Sequence, residues 1–151
     1  RGNRLFHILK FRSMRVEQCD TAGATSTQRD DNRITRVGRF IRSTSIDELP
    51  QLLNVLLGEM SLVGPRPHAL GSTAEDQLFW QVDRQYWHRH ALKPGITGLA
   101  QIRGFRGATE TRRDILNRVE ADLEYLHGWI LMRDIGILVG TARVLVHRNA
   151  Y

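Results

Sequence analysis

Residues 45–58 read Ser45-Ile46-Asp47-Glu48-Leu49-Pro50-Gln51-Leu52-Leu53-Asn54-Val55-Leu56-Leu57-Gly58, and the rest of the chain is best read outward from them. Leucines at 49, 52, 53, 56 and 57 recur at helical spacing and Gly58 supplies a stop, so the stretch reads as a buried helix. Pro50 lacks a backbone N–H and fits only in the first turn, where those groups have no intrahelical partner. The helix is therefore expected to start between Asp47 and Leu49. Two acids at such a start have a plain explanation: the helix dipole favours negative charge, and Ser45 with Glu48 matches a capping box.

Upstream, Arg36 to Arg42 reads as a short helix with Val37, Phe40 and Ile41 on one face and Arg36, Arg39 and Arg42 at three-residue spacing. Residues 18–34 are polar and turn-rich, a surface loop. Residues 5–11 (LFHILKF) read as a short strand leading to Arg12-Ser13-Met14. Downstream, Ser61-Leu62-Val63 is a strand candidate ended by Gly64-Pro65-Arg66-Pro67. Residues 74–90 read as an aromatic-rich helix, and Lys93 to Gly107, with four glycines and a proline, as a structured loop. Two helices close the chain. One carries Ile115, Leu116, Val119, Leu123, Leu126 and Ile130 as an apolar stripe, the other Ile135, Leu138, Val139, Ala142, Leu145 and Val146, and they meet near Trp129–Asp134. The expected fold is a single helix-rich α+β domain over 1–151, with a small antiparallel β element from 5–14 and around 60–63.

Composition narrows the chemistry. The 151 residues are 41% hydrophobic and 25% charged, a globular balance with enough chain for a core. Lys and Arg total 22 against 16 acids, and all but two of the cations are Arg. The net charge of +6 points to phosphates on a nucleic acid, a nucleotide or an anionic membrane, unless it only reflects a proteome that prefers Arg. The single Cys19 excludes an internal disulfide and a cysteine zinc site, and suggests a reducing compartment. No apolar run approaches the ~20 residues that span a bilayer. The chain opens at Arg1 without an initiator Met, so a preceding segment, a membrane segment included, is expected to be missing from it.

The setting of Asp47 and Glu48 adds a functional reading to the structural one. Arg42 precedes Asp47 by five residues, Arg36 and Arg39 lie a turn or two further back, and Arg66 follows in a turn stiffened by two prolines. A carboxylate among guanidinium groups is expected to keep a low pKa and stay ionised. It can then act as a nucleophile if a metal ion screens it from the phosphate it attacks. In Gly64-Pro65-Arg66-Pro67 the prolines fix the backbone around one guanidinium, with either isomer open at the X-Pro bonds; the plainer alternative is a stiff loop with an exposed Arg. Lys10-Phe11-Arg12-Ser13-Met14 places two cations around an aromatic, which alone reads as an amphipathic edge strand. Lys93-Pro94-Gly95-Ile96-Thr97-Gly98 is a Gly-rich loop able to wrap a nucleotide, without a Walker or Rossmann pattern. The six histidines show no metal-ligand spacing, and His88 and His90 read as solvated.

Taken together, KFRSM (10–14), TRVGRFIRSTSIDELPQLLNVLLGEMSLVGPRPH (35–68), KPGITGLAQIRG (93–104) and the closing helices resemble the bacterial sugar transferase family, the monotopic phosphoglycosyl transferases of polyprenyl-phosphate pathways. The resemblance covers nearly the whole chain. It implies that Asp47 attacks the β-phosphorus of a UDP-sugar, releasing UMP and leaving a phosphosugar on the aspartate, which a polyprenyl phosphate then takes up. It further implies that Glu48 completes an Asp-Glu dyad, that Mg²⁺ is the metal held by Asp47 and Glu48, and that Arg42 and Arg66, with Lys10, Arg12 and Arg36, bind substrate phosphate. Gly104-Phe105-Arg106-Gly107-Ala108-Thr109-Glu110 looks most like the glucose-1-phosphate transferases of exopolysaccharide synthesis, with undecaprenyl phosphate as acceptor. Family members carry an N-terminal re-entrant membrane helix, and the implied location is the cytoplasmic face of the bacterial inner membrane.

Two other classes compete. A basic nucleic-acid-binding module accounts for the charge but not for Asp47-Glu48 inside the basic patch, which would repel a phosphate backbone, so no nucleic-acid partner is expected. A catalytically dead membrane-surface scaffold is disfavoured by intact Asp47, Glu48, Arg42 and Arg66. Residues 133–148 are expected to lie on a membrane face, with Arg133, Arg143, His147 and Arg148 flanking the apolar stripe; the alternative is that the stripe packs on the 112–130 helix.

Overall fold

The computed structural model describes residues 2–16, 31–105, 107, 109 and 111–146, with the side chains of 144–146 excepted. The expected surface loop 18–34, with Cys19, lies largely outside the described residues, as do Arg106, Ala108, Glu110, His147 and Arg148. The elements run α1 (Arg36–Ser43), a 3₁₀ turn (Ile46–Glu48), α2 (Gln51–Leu56), β1 (Ser61–Val63), β2 (Thr73–Ala74), β3 (Gln77–Leu78) and α3 (Phe79–Val82). A second 3₁₀ segment (Tyr86–Ala91), β4 (Gly95–Thr97), α4 (Leu99–Ile102), α5 (Arg112–His127) and α6 (Leu131–Val146) complete the chain. The fold is α+β and helix-rich, as expected, and the strand at 61–63 is present as β1, but its partner is β4 and not residues 5–14. β1 pairs in parallel with β4, and β2 pairs antiparallel with β3.

Residues 5–11 do not form a strand. Their neighbour is helix α2, which has no free ladder to offer, so their backbone groups find side chains instead. Asn54, only 1% exposed, accepts from the Leu9 N–H at 3.0 Å and donates to the His7 carbonyl at 2.8 Å. Phe11 N–H then reaches the Asp47 carbonyl at 2.9 Å, and a single antiparallel bridge joins Met14 to Ile34. Close packing fixes the next contact. A Cβ on Gly38 would lie 1.9 Å from the Ser13 carbonyl oxygen, so α1 meets this segment backbone to backbone.

Helix α2 is the reverse of the expected buried leucine helix. Gln51 and Asn54 are buried, while Leu52, Leu53, Leu56 and Leu57 face outward, the last two at 82% and 72% exposure. Residues 5–11 take hydrogen-bonding partners from Asn54 of this helix, and that requirement turns its polar face inward. Val37 and Phe40 of α1 likewise point outward.

Two apolar clusters form the core. Ala74, Phe79, Val82 and Tyr86 pack against Ile115 and Val119 of α5, and Val63, Leu99 and Tyr125 pack against Ile137 of α6. The expected 74–90 helix is instead the β2–β3 hairpin followed by α3 and the second 3₁₀ segment, with Glu75 and Asp76 at positive φ closing the hairpin. Residues 93–107 are not all loop, since they contain β4 and α4. Ile137 is the inward contact of α6, so Ile135, Leu138, Val139 and Ala142 remain exposed. Trp129, Ile130, Leu131 and Met132 continue that apolar surface at the α5–α6 junction. No helix among the described residues is long and apolar enough to cross a membrane.

Candidate active site

The Asp47-Glu48 pair sits in the 3₁₀ turn before α2 rather than in the helix itself. The expected capping box is absent. Ser45 adopts a left-handed conformation (φ 56°, ψ 18°) without a side-chain cap, and Glu48 is engaged elsewhere. A left-handed non-glycine residue costs about 1–2 kcal/mol, which the surrounding contacts must hold in place.

Glu48 is the anchored member of the pair. Lys10 Nζ lies 3.1 Å from its Oε1, Arg66 Nη1 donates to Oε2 at 3.1 Å, and Arg66 Nη2 forms a second, shorter bond to Oε1. Arg66 Nη1 also donates to the Ile96 carbonyl at 3.1 Å, so the guanidinium bridges the dyad and β4. Burial alone would raise the Glu48 carboxyl, but the charges and hydrogen bonds of Arg66 and Lys10 outweigh it and bring it down to about 2.

Asp47 is 8% exposed and behaves oppositely. Burial, then the neighbouring Glu48 charge, push its carboxyl above the usual range, against the pull of Lys10 and Arg42. This corrects the expectation of a low pKa. Charge proximity along the sequence put the guanidinium groups around Asp47, whereas the fold commits Arg66 and Lys10 to Glu48.

The turn that aims Arg66 is built by backbone contacts. Gly64 N–H donates to the Thr97 carbonyl at 2.9 Å and Gly95 N–H to the Pro65 carbonyl at 3.0 Å. A Cβ on Gly95 would lie 2.1 Å from Gly64 N, and one on Gly98 would lie 2.3 Å from Gly64 O. The glycines read as a nucleotide-wrapping loop therefore let β4 approach the Gly64-Pro65-Arg66-Pro67 turn. No cis peptide bond occurs among the described residues.

Of the other sequence candidates, Lys10 and Arg42 lie beside the pair: Lys10 pairs with Glu48, and the charge of Arg42, in the last turn of α1, is felt at Asp47. Arg12 and Arg36 are exposed, and no described contact ties them to it. Four residues escaped sequence reasoning. Arg89, 1% exposed, donates from Nε and Nη2 to Asp122 Oδ2 at 2.9 and 2.5 Å, and from Nη2 to the Arg66 carbonyl at 2.7 Å. Its Nη1 lies 2.8 Å from Nδ1 of His68, which burial and the charges of Arg89, Arg118 and Arg66 hold well below the usual imidazole value. Arg118 donates to the Gly107 carbonyl at 2.9 Å, and burial with the Arg66 and Arg89 charges lowers it to about 10. A signal was present: Asp122 interrupts the apolar spacing Ile115, Val119, Leu126 on α5, and a charge at such a position needs a buried partner. His90, read as solvated, is half-buried and meets Asn3 Oδ1 at 2.6 Å.

Asp47 and Glu48 offer hard carboxylate oxygens, the donors Mg²⁺ takes when it binds through one or two carboxylates together with water and substrate phosphate. Among the described residues no group of three or more His, Cys, Asp and Glu is placed to hold a metal, so these two carboxylates are the donor set to weigh. Asp47, buried and without a salt bridge among the described residues, keeps carboxylate oxygens that a cation can take, and the pair fits such an ion.

The geometry is an acidic dyad whose Glu48 is held by an arginine between two prolines, in a helix-rich α+β fold. The chain belongs to the bacterial sugar transferase family, whose model matches residues 1–148. It is 52% identical over 151 residues to the undecaprenyl-phosphate glucose phosphotransferase of Komagataeibacter xylinus, covering 99% of this chain and 28% of that protein. It is 49% identical over 151 residues to the UDP-glucose:undecaprenyl-phosphate glucose-1-phosphate transferase of Caulobacter vibrioides, covering 99% of this chain and 55% of the relative. Over 134 residues it is 48% identical to the exopolysaccharide production protein PSS of Rhizobium leguminosarum bv. phaseoli, covering 89% of this chain and 67% of that one. The chain thus spans between about a quarter and two thirds of these relatives.

Proposed function

We propose that this chain carries the catalytic site of a glucose-1-phosphate transferase that uses UDP-glucose as donor and undecaprenyl phosphate as acceptor. The names of relatives at about half identity support the donor and acceptor. The observation that carries the mechanism is the unequal treatment of the dyad. Arg66 and Lys10 occupy Glu48, whereas Asp47 has no salt bridge among the described residues and feels the charges of Lys10 and Arg42.

In the first step an Asp47 carboxylate oxygen attacks the β-phosphorus. The bond from that phosphorus to the bridging oxygen breaks and UMP leaves with the electron pair. In the second step an oxygen of undecaprenyl phosphate attacks the same phosphorus and the aspartate leaves, regenerating the carboxylate. Glu48, fixed by Arg66, orients the site, and Arg42 and Lys10 offset charge as the phosphate approaches. Mg²⁺, held by Asp47 and Glu48, would neutralise phosphate oxygens during transfer. The acceptor is a lipid, and the outward leucines of α2, which follow the dyad directly, suit contact with the cytoplasmic surface of the inner membrane.

The test is incubation with UDP-glucose and Mg²⁺ followed by UMP assay and peptide mass spectrometry. A phosphoglucose adduct on Asp47 is expected, and one mapping to Glu48 would overturn the assignment.

A further inference from the structure

Arg66 holds Glu48, and Arg66 is itself held from behind. Its carbonyl, followed by a proline, accepts a hydrogen bond from Arg89 Nη2 at 2.7 Å. Arg89 is anchored by Asp122 on α5, both side chains being almost fully buried at 1% and 2% exposure. His68 Nδ1 faces Arg89 Nη1 at 2.8 Å and the Tyr86 hydroxyl at 3.1 Å, and the Arg89 guanidinium carbon lies 5.2 Å from the Tyr86 ring centroid. Arg89 can only donate, so Nδ1 accepts and the histidine proton sits on Nε2. The guanidinium thus bonds to a carboxylate, a ring nitrogen and a backbone carbonyl at once.

Taking this ion pair out of water costs several kcal/mol per charge, and apolar residues of equal volume commonly serve stability as well or better. What an apolar pair cannot do is grip the Arg66 carbonyl. We propose that Arg89 and Asp122 are positioning residues that transmit the rigidity of α5 through the Arg66 backbone to its guanidinium, and so hold Glu48 in place. This rests on the reading of Asp47 and Glu48 as the reaction centre. Neither residue needs to touch substrate.

The test compares the native chain with Arg89→Met/Asp122→Leu, which removes both charges together and strands neither, and with Arg89→Lys, which keeps the charge for Asp122 but cannot also span to the Arg66 carbonyl. For each, thermal melting establishes the fold, UMP release from UDP-glucose gives kcat and KM, and NMR follows rotation of the Arg66 guanidinium, assigned with Arg66→Lys. Folded variants should lose at least ~10-fold in kcat with KM within about twofold, and guanidinium rotation should quicken. Placed in an Arg66→Ala background, the same changes should cost nothing further, because they act through Arg66. A folded variant with native kcat or unchanged guanidinium rotation, or an equal loss in the Arg66→Ala background, would overturn the proposal. Should the double variant not fold, the Arg89→Lys chain decides on the same readouts. If the native chain releases no UMP, the reaction reading fails by itself, and the NMR arm still decides whether Arg89 and Asp122 fix Arg66.

Discussion

Between Asp47 and Glu48 the chain advances by one residue, yet burial and the neighbouring charge push the first carboxyl up, while Arg66 and Lys10 overcome burial and pull the second down to about 2. For Glu48 the folded value lies below the usual 4.5, so the ionised form stabilises the fold above pH 4.5 and that contribution disappears as pH falls towards 2. The difference corresponds to about 3 kcal/mol. In the metal-free protein Glu48→Gln should therefore flatten the loss of stability across this window, measured as urea midpoints at successive pH values. An unchanged acid transition would mean that the Arg66 fork does not set it. Asp47 has the opposite sign: its raised value favours the fold below pH 3.8 and that contribution is lost as pH rises through the folded value. Asp47→Asn should thus leave the melting temperature unchanged or higher at neutral pH while turnover falls by at least ~10³-fold. Arg66→Lys should not restore activity, because one ammonium cannot replace bonds to both Glu48 oxygens and to Ile96; kcat near native in that variant would show that charge alone suffices.

The elements owe their placement to polar partners more than to apolar periodicity. Asn54 on α2 is the clearest example, since it stands in for a strand partner of residues 5–11 and also meets Glu59 at 2.6 Å. Asn54→Leu would extend the leucine pattern and improve helix propensity, yet it strands the Leu9 N–H and the His7 carbonyl. A net loss of about 2–4 kcal/mol by urea unfolding is expected. Stabilisation instead would show that water satisfies those groups. At the β1–β4 contact Gly95→Ala places a methyl 2.1 Å from Gly64 N, which only backbone movement can relieve. That change should cost about 1–3 kcal/mol and disturb the aim of Arg66.

At the scale of the whole molecule, the apolar surface is larger than folding alone requires. Leu52, Leu53, Leu56 and Leu57 face outward beside the dyad, and Trp129 to Met132 and one side of α6 do so elsewhere. Contiguous exposed apolar surface with basic residues around it suits a lipid interface. On α6, Ile137 is buried and Thr141 Oγ1 meets Thr97 Oγ1 at 2.6 Å, while Ile135, Leu138 and Val139 stay exposed, so one side packs on the core and the other is open. Leu56→Glu/Leu57→Glu should reduce co-sedimentation with anionic vesicles several-fold and leave the melting temperature within about 2 °C, because so little area at these positions is buried on folding. Unaltered vesicle binding would remove α2 from the lipid-facing surface.

Much of the site was legible in sequence because its parts are local. Asp47 and Glu48 adjoin, Pro65 and Pro67 bracket Arg66, and the existence of α1, α5, α6 and the strand at 61–63 follows from apolar spacing, glycine and proline, although α5 ends and α6 begins earlier than that spacing suggests. Lys10 could be nominated from its motif, but its partner, 38 residues away, could not. Which way α2 turns was decided by the fold, since the leucine spacing is compatible with a core or a lipid surface and only Asn54 and Gln51, buried against other segments, break the tie. The same holds for the ionisation of the dyad: sequence places cations near Asp47, but Coulomb energy and desolvation depend on distance and burial, and these exist only once β1, β4 and α1 are assembled around the turn. Arg89 and Asp122 are 33 residues apart and carry no motif, so their pairing behind Arg66 belongs wholly to the tertiary structure.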